Sequence, residues 1–452
     1  MDRRHTLKLM AASAAMPFLS RLLAIAQRRH APTPARPAAP APLAPLTPAD
    51  LAFLDDLERR GCMYFLDQGS PTSGQVLDRA KAFDPPGVRD PRRMASIAAT
   101  GFGLTALCIA AQRGYIPRAR VLDRVRRTLR FHHDKMEPNH GFFVHFNDVE
   151  TGYPYLGSEV SPIDTSLLLC GVLTARAYFR TDAEIQRLAT GLYNAVDWPW
   201  MLNGGDTFQM GWRINRFITS RWNHYCELMM MYLLAIGSPT HPIDPKDWDA
   251  WTRPEMHFQD FTYISANDPL FVHQYSHAWF DFRNKRDAYA NYFQNSITAT
   301  RAHEAFCIGL GEPYSPDYWG ITASDTQHGY RAWGGPGSRK PNPTPADIAK
   351  GFGPIDGSVV PCAAGGSLPF LPDACLRVLR SLKDTYPKAW GRYGFCDAFH
   401  PQADWYDPDC LGIDLGITVL MAENLRSGFV WNTFARNPEV AIAFQRAGFH
   451  AE

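Results

Sequence analysis

Acidic side chains recur where a polar loop leads into a strongly apolar segment, and aromatic residues stand close to them in the sequence. Cleavage of a glycosidic bond needs two carboxyl groups. One protonates the leaving oxygen, and the other serves as a base or a nucleophile. Aromatic rings nearby offer flat apolar faces to a sugar ring. The residue types and their placement therefore favour glycoside cleavage as the chemistry.

Glu227 lies in the segment RWNHYCELMMMYLLAIG, which predicts a helix over about 221–236 with this acid in its first turns. Met and Leu side chains around the carboxyl group would exclude water. Loss of water raises the pKa of a carboxylic acid and suits a general acid. The alternative is an exposed Glu on the polar face of the same helix. Glu227 is the first catalytic candidate.

Asp414 and Asp164 each stand at the start of an apolar helix, in CLGIDLGITVLMAENL and GSEVSPIDTSLLL. An acid at that position either caps the helix, because its charge complements the helix dipole, or lies at the end of a cleft as a base. The sequence leaves both interpretations open. Glu159, in the second segment, has no capping role and is a further catalytic candidate.

Three further acids occur in loops that carry aromatic residues. Asp148 lies in HFNDVETG, and Asp397 lies in GRYGFCDAFH. Asp325, in WGITASDTQHGY, has three aromatic residues nearby, and this composition suits a sugar subsite. A Ser-Asp-Thr turn explains Asp325 equally well. The candidates to line a substrate site here are Asp148, Trp319, Asp325, Tyr330, Trp333 and Asp397.

Metal and cofactor motifs are weak. His273 and His277 have the spacing of two metal ligands on one helix face, but Gln274 stands where a zinc-protease motif carries Glu, and no third ligand is evident. Neither a G-x-S-x-G nucleophile motif nor a phosphate-binding P-loop occurs. The sequence therefore predicts no metal and no cofactor.

Helical periodicity dominates the chain. Apolar residues recur at three-and-four spacing, as in Val121, Val125 and Leu129, whereas strand-like alternation is confined to short stretches such as 141–146 and 260–264. The sequence predicts one all-α domain. Its predicted helices cover about 95–113, 117–135, 162–179, 182–196, 221–236, 285–309, 370–385, 411–427 and 438–447.

Long connections rich in Gly, Pro and aromatic residues separate these helices. Loops of this length are uncommon unless they are functional. Because they usually follow every second helix, they would gather at one end of a toroid of helix pairs and form a cleft there. They cover 137–161, 198–220, 237–284, 312–369 and 386–410.

Composition and net charge limit the classes of binding partner that the sequence predicts. A net charge of +1 gives no basic surface for nucleic acid and no polybasic membrane anchor, so a neutral oligosaccharide or polysaccharide is the expected partner. All 12 Trp follow Asp197, which agrees with a carbohydrate site. The 9 Cys are spread singly and do not form a disulfide framework, which predicts small buried residues.

The N-terminus predicts export. Arg3 and Arg4 precede an Ala-rich apolar run over 9–23, as in a twin-arginine signal peptide over 1–26. This run is too short to cross a membrane, so no stable membrane insertion is expected. A Pro/Ala-rich linker over 27–49 follows, and a single domain over 50–452, whose first helix is capped at Thr47. We expect transient contact with the twin-arginine export machinery and a periplasmic or secreted protein.

Several long segments, in unbroken order over about 157–428, resemble the glucoamylase-like domain family, which includes glycoside hydrolase family 144 and its β-1,2-glucanases. They are GSEVSPIDTSLLLCG, ELMMMYLLAIGSPTHP, PLFVHQYSHAWFDFR, NSITATRAHEAFC, WGITASDTQHGYRAWGGP, DGSVVPCAAGGSLPF, GRYGFCDAFHPQADW and GIDLGITVLMAENLRSG.

The resemblance implies an (α/α)6 barrel and hydrolysis of β-1,2-glucan with inversion. It implies Glu227 as the general acid and Asp414 as the base, with Glu159 as the next candidate. A non-catalytic glycan-binding protein, and a transglycosylase or lyase on the same fold, remain alternatives. Residues implied to line the subsites are Asp164, His273, Gln274, Tyr275, Trp319, Asp325 and Trp333.

Overall fold

Helices provide most of the regular structure in the computed structural model, which describes residues 45–155, 157–266, 269–337 and 355–452. The predicted signal peptide and the linker up to residue 44 lie outside these residues. The helices are α1 (Pro48–Asp67), α2 (Ile97–Arg113), α3 (Arg118–Asp134), α4 (Pro162–Tyr178), α5 (Ala183–Asn194), α6 (Trp198–Leu202), α7 (Met229–Gly237), α8 (Tyr275–Trp279), α9 (Tyr292–Gly309), α10 (Pro361–Gly365), α11 (Pro372–Thr385), α12 (Gly412–Ser427), α13 (Phe429–Phe434) and α14 (Pro438–Arg446).

Local sequence signals set the helix ends. The predicted cap of α1 is confirmed: the Asp50 amide donates to Thr47 Oγ1, and the Thr47 amide donates to the Asp50 carboxylate. Ser96 and Ser161 accept hydrogen bonds from the first turns of α2 and α4 in the same way. Gly428 ends α12 in the left-handed conformation that glycine adopts without a steric penalty.

The helices form two layers. Helices α2, α4, α7 and α12 are buried on almost all sides and make the inner layer. Helices α1, α3, α5, α11 and α14 bury only one face and make the outer layer, with α1 against α2 and α12, α5 against α3 and α4, and α14 against α7. This arrangement confirms the predicted all-α (α/α)6 fold.

Two glycines allow α2 and α4 to touch backbone to backbone. A Cβ atom on Gly101 would lie 2.2 Å from the carbonyl oxygen of Leu167, and one on Gly171 would lie 2.1 Å from the carbonyl oxygen of Gly101. No larger side chain fits either position without moving a helix. The close contact fixes the relative placement of the N-termini of α2 and α4.

Strands in the described residues are two to four residues long and pair only as two-stranded antiparallel units. Two of these pairs tie loops to the N-termini of inner helices. In the first, β1 (Arg79–Lys81) pairs with β15 (Asp409–Leu411) just before α12, and in the second, β2 (Met94–Ser96) pairs with β3 (Phe146–Asp148) just before α2. The other pairs are β4 (Phe208–Gln209) with β7 (Arg221–Trp222), β5 (Trp212–Arg213) with β6 (Arg216–Phe217), β8 (Glu255–Phe258) with β9 (Phe261–Ile264), β10 (Lys285–Arg286) with β16 (His450–Ala451), β11 (Trp390–Gly391) with β12 (Gly394–Phe395), and β13 (Phe399–His400) with β14 (Trp405–Tyr406).

Two predicted helices begin later than expected. The helix predicted over 221–236 starts at Met229, because residues 221–222 pair with 208–209 as strands. The helix predicted over 285–309 starts at Tyr292, because residues 285–286 pair with the C-terminal strand. The strand expected over 141–146 lies instead at Phe146–Asp148. Backbone pairing with a distant segment, which the local pattern does not reveal, decides all three.

All 9 Cys are buried, which confirms the predicted burial, and none of them is paired. Within the described residues, no helix is both long and apolar enough to span a membrane.

Candidate active site

A cavity of about 760 Å³ lies where the N-termini of the inner helices meet. Residues from the starts of α2, α4, α8 and α12, and from the turn before α7, all contribute to its wall. The positive ends of these helix dipoles therefore point toward the cavity and favour negative charge there. Its charged and hydroxyl-bearing lining residues are Asp78, Arg79, Ser96, His145, Glu159, Ser161, Asp164, Arg213, Glu227, Tyr275 and Tyr330.

Glu227 lies in the turn before α7, not in the helix as predicted. Its backbone is held in place because Ser276 Oγ donates to its carbonyl oxygen over 2.7 Å. The carboxyl group faces the cavity but has protein around it. Burial, with a smaller contribution from the negative charge of Asp164, raises the pKa of Glu227 to about 7. Near neutral pH, Glu227 therefore carries a proton that it can donate.

Glu159 is in a different electrostatic state. Its Oε1 lies 3.1 Å from Nδ1 of His145, and this hydrogen bond lowers the pKa of Glu159. Nε2 of the same ring lies 3.4 Å from Oδ1 of Asp164. Burial opposes protonation of His145, but the charges of the two acids outweigh burial and raise the pKa of His145. Glu159 thus stays ionised, which argues against it as the general acid.

Asp164 has both of the roles that the sequence left open. As a first-turn residue of α4, it accepts a hydrogen bond of 2.5 Å from the hydroxyl of Ser161, whose oxygen in turn accepts from the Asp164 amide. The second carboxylate oxygen faces His145 in the cavity. Capping therefore orients the carboxylate that the cavity uses.

Asp414 and Asp397 form a buried carboxyl pair. Asp414 is in the first turn of α12, and Asp397 lies between β12 and β13; both border a separate space of about 20 Å³. Burial raises the pKa of Asp414 to about 6, while hydrogen bonds from Asp397 and Cys362 restrain the rise. Burial, and then the charge of Asp414, raise the pKa of Asp397 well above its usual range. The two carboxyls therefore share a proton near neutral pH.

Tyr275 connects the two acid groups. Its side chain is 5% exposed and lines the cavity. Burial raises the pKa of this phenol, and the charges of both Asp414 and Glu227 raise it further. Tyr275 therefore stays protonated and lies near both carboxyl groups.

Arg79 neutralises part of the acidic cluster behind the cavity wall. Its Nη1 lies 2.5 Å from Oδ2 of Asp325, and its Nε lies 3.0 Å from Oδ2 of Asp78. Asp325 is joined to the carboxyl pair, because its amide donates to Oδ2 of Asp397 over 2.8 Å. Asp407 also borders this cluster, and burial raises the pKa of Asp407 to about 7. Asp325 and Asp397 are thus one layer behind the cavity surface.

Two groups of side chains have the spacing of a cation site. Ligand atoms of His145, Glu159 and Asp164 lie within 4.8 Å of one another, and so do carboxylate oxygens of Asp325, Asp397 and Asp407. The imidazole of His145 in the first group, and Arg79 next to the second, already supply positive charge. Ion pairing and a shared proton therefore explain both groups.

Four aromatic or polar residues predicted to line subsites lie in the core instead. Trp319 and Trp333 are 0% and 1% exposed, because such large rings fill space between the helices. Nδ1 of His273 is hydrogen-bonded to the hydroxyl of Tyr225. Gln274 donates to the carbonyl oxygen of Ala363 and to the hydroxyl of Ser367. None of the four lines the cavity, and their assignment to subsites stays a prediction. His273 and His277 also do not share one helix, since only His277 lies in α8.

Asp148 does not line the cavity either. Arg93 holds its carboxylate through two hydrogen bonds of 2.6 and 2.8 Å at the protein surface. The same carboxylate accepts from the Thr151 amide and so closes a turn. Tyr330, by contrast, lines the cavity and is 50% exposed at its mouth.

The sequence interpretation missed His145 and Arg79. His145 opens the segment HFNDVETG, which drew notice only for its acids. Its position directly before β3, next to the N-terminus of α4, is set by backbone pairing: the His145 amide donates to the carbonyl oxygen of Glu159 over 2.9 Å. Arg79 stands in a segment without any motif.

Comparison with known proteins agrees with this geometry. A family model named Glycoamylase, described as "Putative glucoamylase", matches residues 219–438. Two solved structures share the fold. An endo-β-1,2-glucanase from Chitinophaga pinensis has a TM-score of 0.79 and 27% identity, with coverage of 90% of this chain and 99% of that one. A "putative glucoamylase" from Bacteroides fragilis has a TM-score of 0.78 and 29% identity, with coverage of 92% and 100%.

The resemblance to the glucoamylase-like family is confirmed. A curated relative of this chain is the exo-β-1,2-glucooligosaccharide sophorohydrolase of Parabacteroides distasonis, which is 28% identical over 444 residues. The alignment covers 88% of this chain but only 58% of the relative, so the chain spans less than two thirds of that protein's length.

Proposed function

We propose that this glucoamylase-like protein is a glycoside hydrolase that cleaves β-1,2-linked glucan or oligosaccharides derived from it. The observation that carries the proposal is a carboxyl group, Glu227, whose pKa burial raises to about 7, in a cavity that also holds Glu159, an acid kept ionised by His145. A glycosidase needs one carboxyl group that is neutral at working pH and another that is not. Here burial favours the neutral state of Glu227, and the hydrogen bond from His145 favours the ionised state of Glu159.

In the proposed mechanism, Glu227 donates its proton to the glycosidic oxygen as the bond to the leaving sugar breaks. Such positioned proton transfer contributes about 10²–10⁴-fold in rate. The donor is suited to neutral pH because its pKa is raised to about 7 by burial.

Asp414 is proposed as the base that accepts a proton from the attacking water. Asp414 does not itself border the large cavity, but its neighbour Ile413 does. The charge of Asp414 also raises the pKa of Tyr275 and of Tyr330, which both lie in the cavity wall. The proton would therefore reach Asp414 through an intervening hydroxyl group or water. A base set back from the sugar leaves room for water, as inversion requires.

The linkage preference rests on the named activities of two relatives, the sophorohydrolase and the endo-β-1,2-glucanase. The test is to incubate the purified protein with linear β-1,2-glucan and to follow the new reducing ends. β-1,3- and β-1,4-glucans serve as linkage controls. We expect short oligosaccharides from the β-1,2-linked polymer alone, and loss of product in E227Q and in D414N.

Absence of any product from all three polymers would overturn the proposal and leave a glycan-binding role. Unsaturated or transferred products, detected by mass spectrometry, would replace it with lyase or transglycosylase chemistry. Incorporation of one oxygen from labelled water for each cleaved bond, at the new reducing end only, is the result expected for a hydrolase.

We also propose that the protein is exported to the periplasm or beyond through the twin-arginine route. Support comes from Arg3, Arg4 and the apolar run after them. A twin-arginine system exports folded chains, which suits 9 unpaired buried Cys. Replacing both arginines with lysine should retain the protein in the cytoplasm in a cell-fractionation assay. Unchanged export of that double variant would contradict this route.

A further inference from the structure

A cluster of arginines lies beside α3, apart from the cavity. The helix carries Arg118, Arg120, Arg124, Arg126, Arg127 and Arg130, and no described residue of α3 lines the cavity. Arg126 and Arg130 are paired with Asp182 and Glu184, and Arg118 stacks on Tyr178 and Phe179. Ordinary surface pairing therefore explains half of these side chains.

The other three have no such explanation. Within the part of the chain that the structure describes, the side chains of Arg120, Arg124 and Arg127 form no hydrogen bond or ion pair with another residue. Arg124 is half-buried, and its Nη1 is a shielded donor without an acceptor. Burial, together with the positive charges of Arg127, Arg120 and Arg89, lowers the pKa of Arg124 to about 10. A half-buried cation with three like charges near it is costly for a fold to retain.

Arg89 faces the same space from the loop before β2. Its Nη1 donates to Oε1 of Glu150 over 3.0 Å, but its Nε and Nη2 are shielded donors without an acceptor. The side chain is 32% exposed, so the cluster is open to small solutes. Two guanidinium groups thus bring three unsatisfied N–H-bearing atoms to one region.

Glu150 and Asp67, two acids near this cluster, are already engaged. Both oxygens of the Glu150 carboxylate are occupied, by Arg89 and by the hydroxyl of Ser70. Asp67 accepts from Arg392 over 2.5 Å. The guanidinium of Arg124 cannot withdraw inward, because it rests on the backbone at Gly69, where a Cβ atom would lie 2.2 Å from Nη1. Neither acid satisfies the free donors, and the geometry holds them in place.

We propose that Arg89 and Arg124 form a binding site for an oxyanion of the phosphate or sulfate class, with Arg120 and Arg127 adding positive charge. A tetrahedral oxyanion offers several acceptor oxygens to forked guanidinium donors, and its charge would offset the repulsion among the four arginines. Partial burial strengthens the attraction, because the shielded donors have little water to displace. The oxyanion is either free or a monoester on a sugar.

Isothermal titration calorimetry of the full chain with inorganic phosphate tests the site, at constant ionic strength set with chloride. We expect saturable binding at one site. R124Q or R89Q should weaken it about tenfold or more, because each removes charge-assisted hydrogen bonds. R301Q, at an exposed arginine of α9 outside the cluster, is the matched control and should bind phosphate as the unmodified protein does. A second titration with glucose 6-phosphate separates the sources: equal affinity indicates recognition of the phosphoryl group alone, and higher affinity indicates a sugar ester.

The thermal midpoint provides an independent readout. Phosphate should raise it in the unmodified protein and in R301Q, but not in R124Q. Without phosphate, R124Q should melt at the same temperature or higher, because the substitution removes a repelled cation. Failure of both phosphate and glucose 6-phosphate to bind, or undiminished binding by R124Q and R89Q, would overturn the proposal. Glucan hydrolysis by R124Q should be unchanged, so the outcome is independent of the proposed activity.

Discussion

His145 Nδ1 lies 3.1 Å from Glu159 Oε1. This contact gives Glu159 a different protonation state from Glu227, although both acids are catalytic candidates in the sequence. Because the imidazole stabilises the Glu159 carboxylate, that residue is a charge partner in the cavity wall. Glu227 has no cationic partner among the described residues and is the carboxyl group whose pKa burial raises. The roles of the two acids therefore follow from their surroundings.

Replacing each acid with its amide should show this difference. We expect E227Q to lower kcat on β-1,2-glucan by about 10²–10⁴-fold, the usual contribution of a general acid. E159Q should keep the hydrogen bond to His145 and lose no more than about tenfold, because only an electrostatic contact changes. Initial rates of reducing-end formation measure both variants. Equal loss in the two would identify Glu159 as a second catalytic acid.

Activity should have a narrow optimum in pH. Glu227 must hold its proton, so the rate should fall as pH rises through about 7, where burial has placed its pKa. Asp414 must have lost its proton, so the rate should fall as pH drops through about 6. The profile of kcat/KM then has its maximum between these values. E227Q should lack the alkaline limb in its residual activity, and a flat profile in the unmodified protein over pH 5–8 would contradict the assignment.

Much of the fold could be predicted from local pattern, and the site only in part. The apolar faces of α2, α4 and α12 reveal inner helices, because a helix that is apolar all round must be buried. The pairing of Asp397 with Asp414 could not be predicted, because a hairpin of β13 and β14 brings the two residues together from opposite sides of that loop. The apolar run after Glu227 gave no indication that the helix begins only at Met229. The burial of Trp319 and Trp333 could not be predicted, because the composition of a loop is the same whether its aromatic residues face sugar or core.

Asp397 should set the pH dependence of the base without contacting the substrate. Its hydrogen bond to Asp414 restrains the rise in the pKa of Asp414. D397A removes this donor, so the acidic limb of the rate profile should move up by about one pH unit, as expected for one lost hydrogen bond to a charged group. D397N retains an N–H donor and should shift the limb less. An unchanged acidic limb in D397A would show that Asp397 serves only to fill space.

The close contact of α2 with α4 makes a sharp prediction about stability. G101A places a methyl group where the carbonyl oxygen of Leu167 lies 2.2 Å away, and neither backbone can yield without moving a helix. We expect a loss of about 1–3 kcal/mol in the free energy of unfolding, the usual cost of overpacking a core. G309A is the matched control, because a Cβ atom at that helical glycine meets nothing within 4 Å. It should be neutral, or stabilising by up to about 1 kcal/mol, since alanine favours a helix over glycine. Urea unfolding followed by circular dichroism measures both changes. Because α2 and α4 frame the cavity, G101A should also lower activity through KM, and equal stability of the two variants would mean that the helices are not in backbone contact.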